Sequence, residues 1–193
     1  MTERTADHPV LPLFLDRWSP RAFDPRPIDD ASLMPLFEAA RWAPSSFNSQ
    51  PWRFAYAKRD DAHWPDFFAA LVPFNQSWVA NASVLIYILS DTKMEIGGER
   101  QLSHSHSFDA GAAWMALALQ ATAMGLIAHG MTGVDFEAAR KVVNAPDEFR
   151  VEAAIAIGYH GEKALLPEAL QQREVKSGRR PLSETLFNGP LPG

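Results

Sequence analysis

A chain of 193 residues is the size of one domain and long enough to bury a sizeable core. Its 18 Lys and Arg against 23 Asp and Glu leave a formal charge of −5, and no basic stripe marks a nucleic-acid surface. Cysteine is absent, which excludes disulfides, thiolate metal sites and a cysteine nucleophile and agrees with a reducing cytoplasm.

The N-terminal stretch mixes Glu3, Arg4, Asp7 and His8 ahead of the first apolar run, unlike a signal peptide. Val10 to Asp16 reads as a short helix leading into Arg17-Trp18-Ser19-Pro20-Arg21. Asp29 or Asp30 can cap a helix carrying Leu33, Leu36, Phe37, Ala40 and Arg41, with Pro35 tolerable only near its first turn and Pro44 beyond its end. Ala43-Pro44-Ser45-Ser46-Phe47-Asn48-Ser49-Gln50-Pro51-Trp52 follows, a loop shaped by its prolines. Trp52, Phe54 and Tyr56 then alternate with Arg53 and Ala55 as in a half-buried strand, with Trp52 expected in the core.

Asp61 to Leu71 reads as a helix ended by Pro73-Phe74-Asn75, and Val84 to Leu89 as a buried central strand. Asp91 to Ser107 is polar and Gly-containing, a loop or lid. Phe108 to Met124 is apolar almost all round, which predicts a helix buried on every side and stopped by Gly125; its alanines admit a second helix closely. The stretch from Ala110 to Leu119 is broken by Gln120 and Thr122, short of the roughly 20 apolar residues of a membrane span. Asp135 caps a helix to Val143, and Val151 to Tyr159 is a second buried strand ending at Gly161.

The tail from Leu165 carries Pro167, Pro181, Pro190 and Pro192, with too few apolar residues in register for a core. No repeat or linker is visible, so residues 1–193 form a single domain with 165–193 as an extended tail. Three or four strands for some five helices would leave a sheet edge that a second subunit's tail could cover.

Arg17, Ser19 and Arg21 stand on alternate residues, so an extended backbone puts both guanidinium groups on one side; their planar donors suit phosphate. In isolation the pair would be solvated surface. The amides of Asn48 and Gln50, with Ser45 and Ser46, could serve a flat, multiply polar ring. Ala128-His129-Gly130-Met131-Thr132-Gly133 has two glycines in four residues, permitting close backbone approach and positive φ. Gly178-Arg179-Arg180-Pro181-Leu182 adds a second basic element.

Together, R-x-S-x-R at 17–21 and P-S-S-F-N-S-Q-P-W at 44–52 resemble the FMN-dependent nitroreductase family, with softer matches at 131–133 and 178–182. The resemblance implies an α+β fold with a mixed, mainly antiparallel central sheet flanked by helices, in a homodimer that exchanges C-terminal segments. It implies that Arg17, Ser19 and Arg21 grip the FMN phosphate and ribityl chain, joined by Arg179 or Arg180. Pro44, Ser45, Ser46, Asn48 and Gln50 would reach the flavin bound mainly by the other subunit. Asn75 would approach the pyrimidine, and the Met131, Thr132 and Gly133 backbone would pass beside the ring.

The implied activity is oxidation of NAD(P)H by FMN and two-electron reduction of a small-molecule acceptor such as a nitroaromatic or a quinone. Flavin N5 carries the chemistry, so no catalytic side chain is required. The alternatives are a non-catalytic flavin-binding or sensing protein, and a related flavin enzyme such as a reductive dehalogenase. Ser103-His104-Ser105-His106-Ser107-Phe108-Asp109 is read as a polar loop capping the Phe108 helix, because nothing else supports a metal site there. No G-x-S-x-G elbow and no G-x-G-x-x-G turn is present.

Overall fold

A computed structural model describes residues 4–191; Glu3 of the polar N-terminal stretch and Pro192 of the tail lie outside them. The helices are α1 (Pro12–Asp16), α2 (Asp30–Arg41), α3 (Trp64–Ala69), α4 (Pro73–Val79), α5 (His106–Ala123), α6 (Phe136–Val142) and α7 (Glu168–Gln171). The strands are β1 (Phe23–Asp24), β2 (Trp52–Lys58), β3 (Val84–Asp91), β4 (Lys93–Ile96), β5 (Glu99–Leu102), β6 (Ile127–Met131) and β7 (Phe149–His160).

Among the described residues, β7 is the hub of a five-stranded sheet: β3, β6 and β1 all pair with it, and β2 pairs with β3. Every described pairing is antiparallel. Strand alternation divides the core between the two faces. Leu85, Tyr87, Leu89, Ala154 and Ala156 meet Phe67 of α3, Trp78 and Val79 of α4 and Ala139 of α6. Val84, Ile86, Ile88, Ile155 and Ile157 meet Leu33 and Leu36 of α2 and the Ala110, Ala113, Leu117, Ala118 and Ala121 stripe of α5. In β7 the pairing with β3 slips: Ile88 faces Ala153 but Leu89 faces Val151, so Glu152 is the extra residue of a β-bulge.

Asp29 is the cap of α2, its carboxylate accepting from the Ser32 N–H at 2.8 Å, and Asp135 caps α6 through Ala138 N–H at 3.0 Å. Several boundaries differ from the sequence reading. Pro35 lies in the second turn of α2, and the helix passes through it. The expected helix over 61–71 is confined to α3, and Pro73 begins α4 rather than ending a helix; proline suits a first helical position, where its missing N–H has no partner to lose. Residues 91–107 contain the β4–β5 hairpin, turned by Gly97 and Gly98 at φ +63° and +86°. β6 is a strand over residues for which the sequence offered only two closely spaced glycines.

Two expectations about exposure need correction. α5 is not buried on every side: Phe108 is 82% exposed, and Gly111 and Met115 also lie open. The tail is in two parts. Leu166, Leu170 and Glu174 are buried in the chain's own body, whereas residues 177–191 are exposed throughout.

Candidate functional site

Arg17, Ser19 and Arg21 leave α1 in extended backbone and line a cavity of about 270 Å³ together with Arg4, Arg173 and Arg179. Five guanidinium groups thus converge on one hollow. Burial lowers the proton affinity of Arg17, with Arg179 and Arg4 adding repulsion; it does the same at Arg21, where Arg173 adds to it and Glu174 opposes. The Glu174 carboxylate, almost fully buried, accepts from the backbone N–H of Arg21 at 2.8 and 3.1 Å and of Ala22 at 2.9 Å. It fixes the basic loop and leaves the side chains free to face an anion.

Arg21 and His129 also line a second cavity of about 570 Å³. Arg21 Nε is buried without a hydrogen-bond partner, an orphan donor of the kind that an oxygen-rich ligand satisfies. The His129 Nδ1–H donates to the Pro20 carbonyl at 2.8 Å, and its ring lies 4.5 Å from Trp78. Burial, with Arg21 and Arg17 nearby, brings its pKa down to about 4, although the Pro20 and Ser19 carbonyls pull the other way. It is therefore neutral at pH 7.

The floor of the larger cavity is the end of β6 and the turn after it, Met131, Thr132 and Gly133, with Asn75 of α4 beside them. Asn75 Nδ2 donates to the Gly133 carbonyl at 2.9 Å. A Cβ on Gly133 would stand 2.4 Å from that nitrogen, and one on Gly130 would stand 3.0 Å from the Trp114 ring. Neither residue has positive φ, so both glycines serve close approach, and the expected left-handed backbone is not used. Met131 is buried, whereas Thr132 is exposed.

The 43–52 loop lies elsewhere. Its Ser46 N–H donates to the Asp109 carboxylate at 3.2 Å, which ties it to the start of α5, and the Gln50 N–H donates to Ser45 Oγ at 3.0 Å. Phe47, Asn48 and Gln50 adopt φ of 52°, 53° and 48°, a run of left-handed non-glycine residues that costs energy and presents its side chains outward. Asn48, Gln50 and Pro44 are exposed, Ser45 and Ser46 half-buried, and none of them lines the Arg21 cavities of its own chain. Trp52 is in the core, as expected.

Of the two tail arginines, Arg179 faces the basic cavity; Arg180 lines a separate hollow and lies 4.0 Å from Glu184. Sequence reasoning missed Arg4, Arg173, His129, Trp114 and Glu152, all of which line one of the two main cavities. The 103–109 segment is more than a capping loop. α5 begins at His106, and His106 and Ser107 bond to Ser90 and Glu152. Among the described residues no three His, Asp or Glu side chains could hold a metal ion, and no helix is long and apolar enough to cross a membrane.

A basic pocket that shares Arg21 and His129 with a larger, mostly apolar one containing the Asn75 amide fits a phosphorylated ring compound. The model of the Nitroreductase family matches residues 15–72 and 59–159, most of the chain. The chain belongs to the nitroreductase family. A solved oxidoreductase containing FMN is 48% identical, with 98% of this chain and 96% of that one superposed at a TM-score of 0.95. A protein of Desulfovibrio desulfuricans, crystallised in complex with FMN, is 28% identical over 97% of this chain and 100% of its own, with a TM-score of 0.73. The NADH dehydrogenase of Thermus thermophilus is 28% identical over 178 residues, 77% of this chain and 85% of its own length.

Proposed function

We propose that this nitroreductase-family chain is an FMN-dependent oxidoreductase that takes two electrons from NAD(P)H and passes them to a nitroaromatic, a quinone or a related small acceptor in alternating steps. The observation that carries the reading is the pair of cavities joined at Arg21 and His129, one basic and one lined by an apolar wall and an amide. The FMN and NAD(P)H assignment is also supported by the FMN in related structures and by the NAD(P)H-flavin oxidoreductase of Aliivibrio fischeri, 34% identical over 82 residues.

Bound FMN would supply hydride acceptance and donation at its ring; the chain binds, orients and tunes it. Arg17, Ser19, Arg21 and Arg179 would hold the phosphate, where charge-assisted contacts are strongest. The orphan Arg21 Nε suits an oxygen of the phosphate or the ribityl chain. Asn75 and the Met131–Gly133 backbone would flank the ring, and neutral His129 would leave the phosphate to the arginines. The exposed Asn48 and Gln50, with half-buried Ser45 and Ser46, would complete the site of a second subunit. A homodimer is supported by the open Phe108, Gly111 and Met115 face of α5 and by exposed residues 177–191, which could cover the outer edge of β2 in a partner. A chain without cysteine suits the cytoplasm.

The test is direct. The purified protein should carry flavin absorbance, NADH or NADPH should bleach it anaerobically, and a quinone should restore it. A flavin that no reduced nicotinamide bleaches would favour a binding protein, and a protein with no affinity for FMN would end the reading.

A further inference from the structure

We infer that Glu152 is the proton donor to the acceptor in this site and that His106 recharges it through Ser90. The inference rests on the oxidoreductase reading above. Two-electron reduction of a quinone joins one hydride and one proton to the acceptor. The cofactor supplies the hydride, and an acid must supply the proton.

Glu152 lines the larger cavity together with Ser107, in the same hollow as Asn75 and Met131. It is the extra residue of the β7 bulge, and bulges commonly re-aim a side chain beside an active site. Its Oε1 accepts from Ser90 Oγ at 2.6 Å and from Ser107 Oγ at 2.7 Å. Ser90 is the polar residue at the end of an otherwise apolar run in β3 and is fully buried. Its other partner is His106 Nδ1 at 2.7 Å. Because the single Ser90 hydrogen goes to Glu152, His106 must present Nδ1–H to Ser90 Oγ. The order is therefore His106 Nδ1–H, Ser90 Oγ–H, Glu152 carboxyl.

The remaining charged groups are placed around this line. Arg150 Nε lies 3.6 Å from Glu152 Oε2 and is mostly solvated. Asp109, one turn along α5, is engaged by Ser46 and Ser105. His106 is itself 3.4 Å from Glu152 and keeps a part of its ring exposed to water.

The step balances. The acceptor gains the electron pair with the hydride, and its oxygen takes the proton as the Glu152 O–H bond breaks and leaves a carboxylate. Ser90 passes its hydrogen to the Glu152 carboxylate while receiving the Nδ1 proton of His106, whose solvent-facing Nε2 takes a proton from hydronium in the same step so that the ring stays neutral, and exchange with water restores the Nδ1–H form.

The FMN-loaded protein, reduced with NADH, is mixed rapidly with 1,4-benzoquinone or with ferricyanide, which takes electrons without protons. Glu152→Gln should lower the quinone rate relative to the ferricyanide rate at least tenfold, the lower range of general-acid effects being about a hundredfold. It should also abolish the solvent deuterium effect on the quinone arm, and Ser90→Ala should do the same more weakly. In the flavin-free protein, nitrogen-15 spectra of His106 should lose the Nδ1–H tautomer in Ser90→Ala, which removes the oxygen that accepts it. Equal losses with both acceptors, an unchanged quinone rate, or an unchanged His106 tautomer would overturn the relay while NADH still bleaches the flavin. A wild-type flavin that NADH leaves oxidised would overturn the oxidoreductase reading, and this step with it.

Discussion

The Glu174 carboxylate holds the backbone at Arg21 and Ala22, beside the Arg17 and Arg21 guanidinium groups of the basic cavity. Replacing both with Ala should leave the fold intact and strip FMN. A hydrogen bond to a charged group contributes about 1.5–3 kcal/mol, so the loss of two should weaken affinity by about a hundredfold or more, as fluorescence titration would detect. His129 supplies a pH dependence. Its folded pKa of about 4 is below the ordinary 6.5, so between these values the unfolded chain binds a proton that the folded chain does not. The contribution is fully present above pH 6.5 and is lost as the pH falls toward 4, a cost of about 3 kcal/mol. Urea midpoints at pH 7 and pH 4.5 should therefore converge in His129→Asn relative to the wild type. The basic-cavity residues readable in the sequence were those in one short local pattern: Arg17, Ser19 and Arg21. Arg173, Arg4 and His129 were not, because their neighbours are brought in from distant parts of the chain. Glu152 did leave a trace, as the single charge within the apolar run of Val151 to Ile157, but only the bulge explains it.

At the scale of elements, the two buried strands, the long α5 and both aspartate caps were legible, because burial on both faces and capping chemistry write themselves into local sequence. β6 and the β4–β5 hairpin were not. β6 is five residues long and carries the glycine that Trp114 packs against, while β5 exposes all four of its residues and so shows no alternation. The alanines of α5 were read as room for another helix, and α2 occupies it. Ala113 is fully buried there between Leu33, Leu36 and the sheet. Ala113→Leu should therefore destabilise by about 1–3 kcal/mol through overpacking, measured by urea unfolding. A neutral result would mean that the α2–α5 contact is looser than its burial implies.

For the whole molecule, the open face of α5 and the exposed 177–191 segment are one expectation: a homodimer at low micromolar concentration by light scattering. Deleting residues 177–193 should dissociate it and release flavin together, and a flavin-loaded monomer would refute the shared site. The basic cavity has a different consequence. Its walls come from opposite ends of the chain, with Glu174 bonding to an N–H 153 positions before it and Arg179 closing the ring beside Arg17. A ribosome-bound chain therefore cannot trap its flavin early. Stalled nascent chains that have extruded β7 but not residue 174 should form their sheet yet ignore FMN, and those that have extruded residue 179 should capture it, so cofactor uptake works as a receipt for nearly completed synthesis.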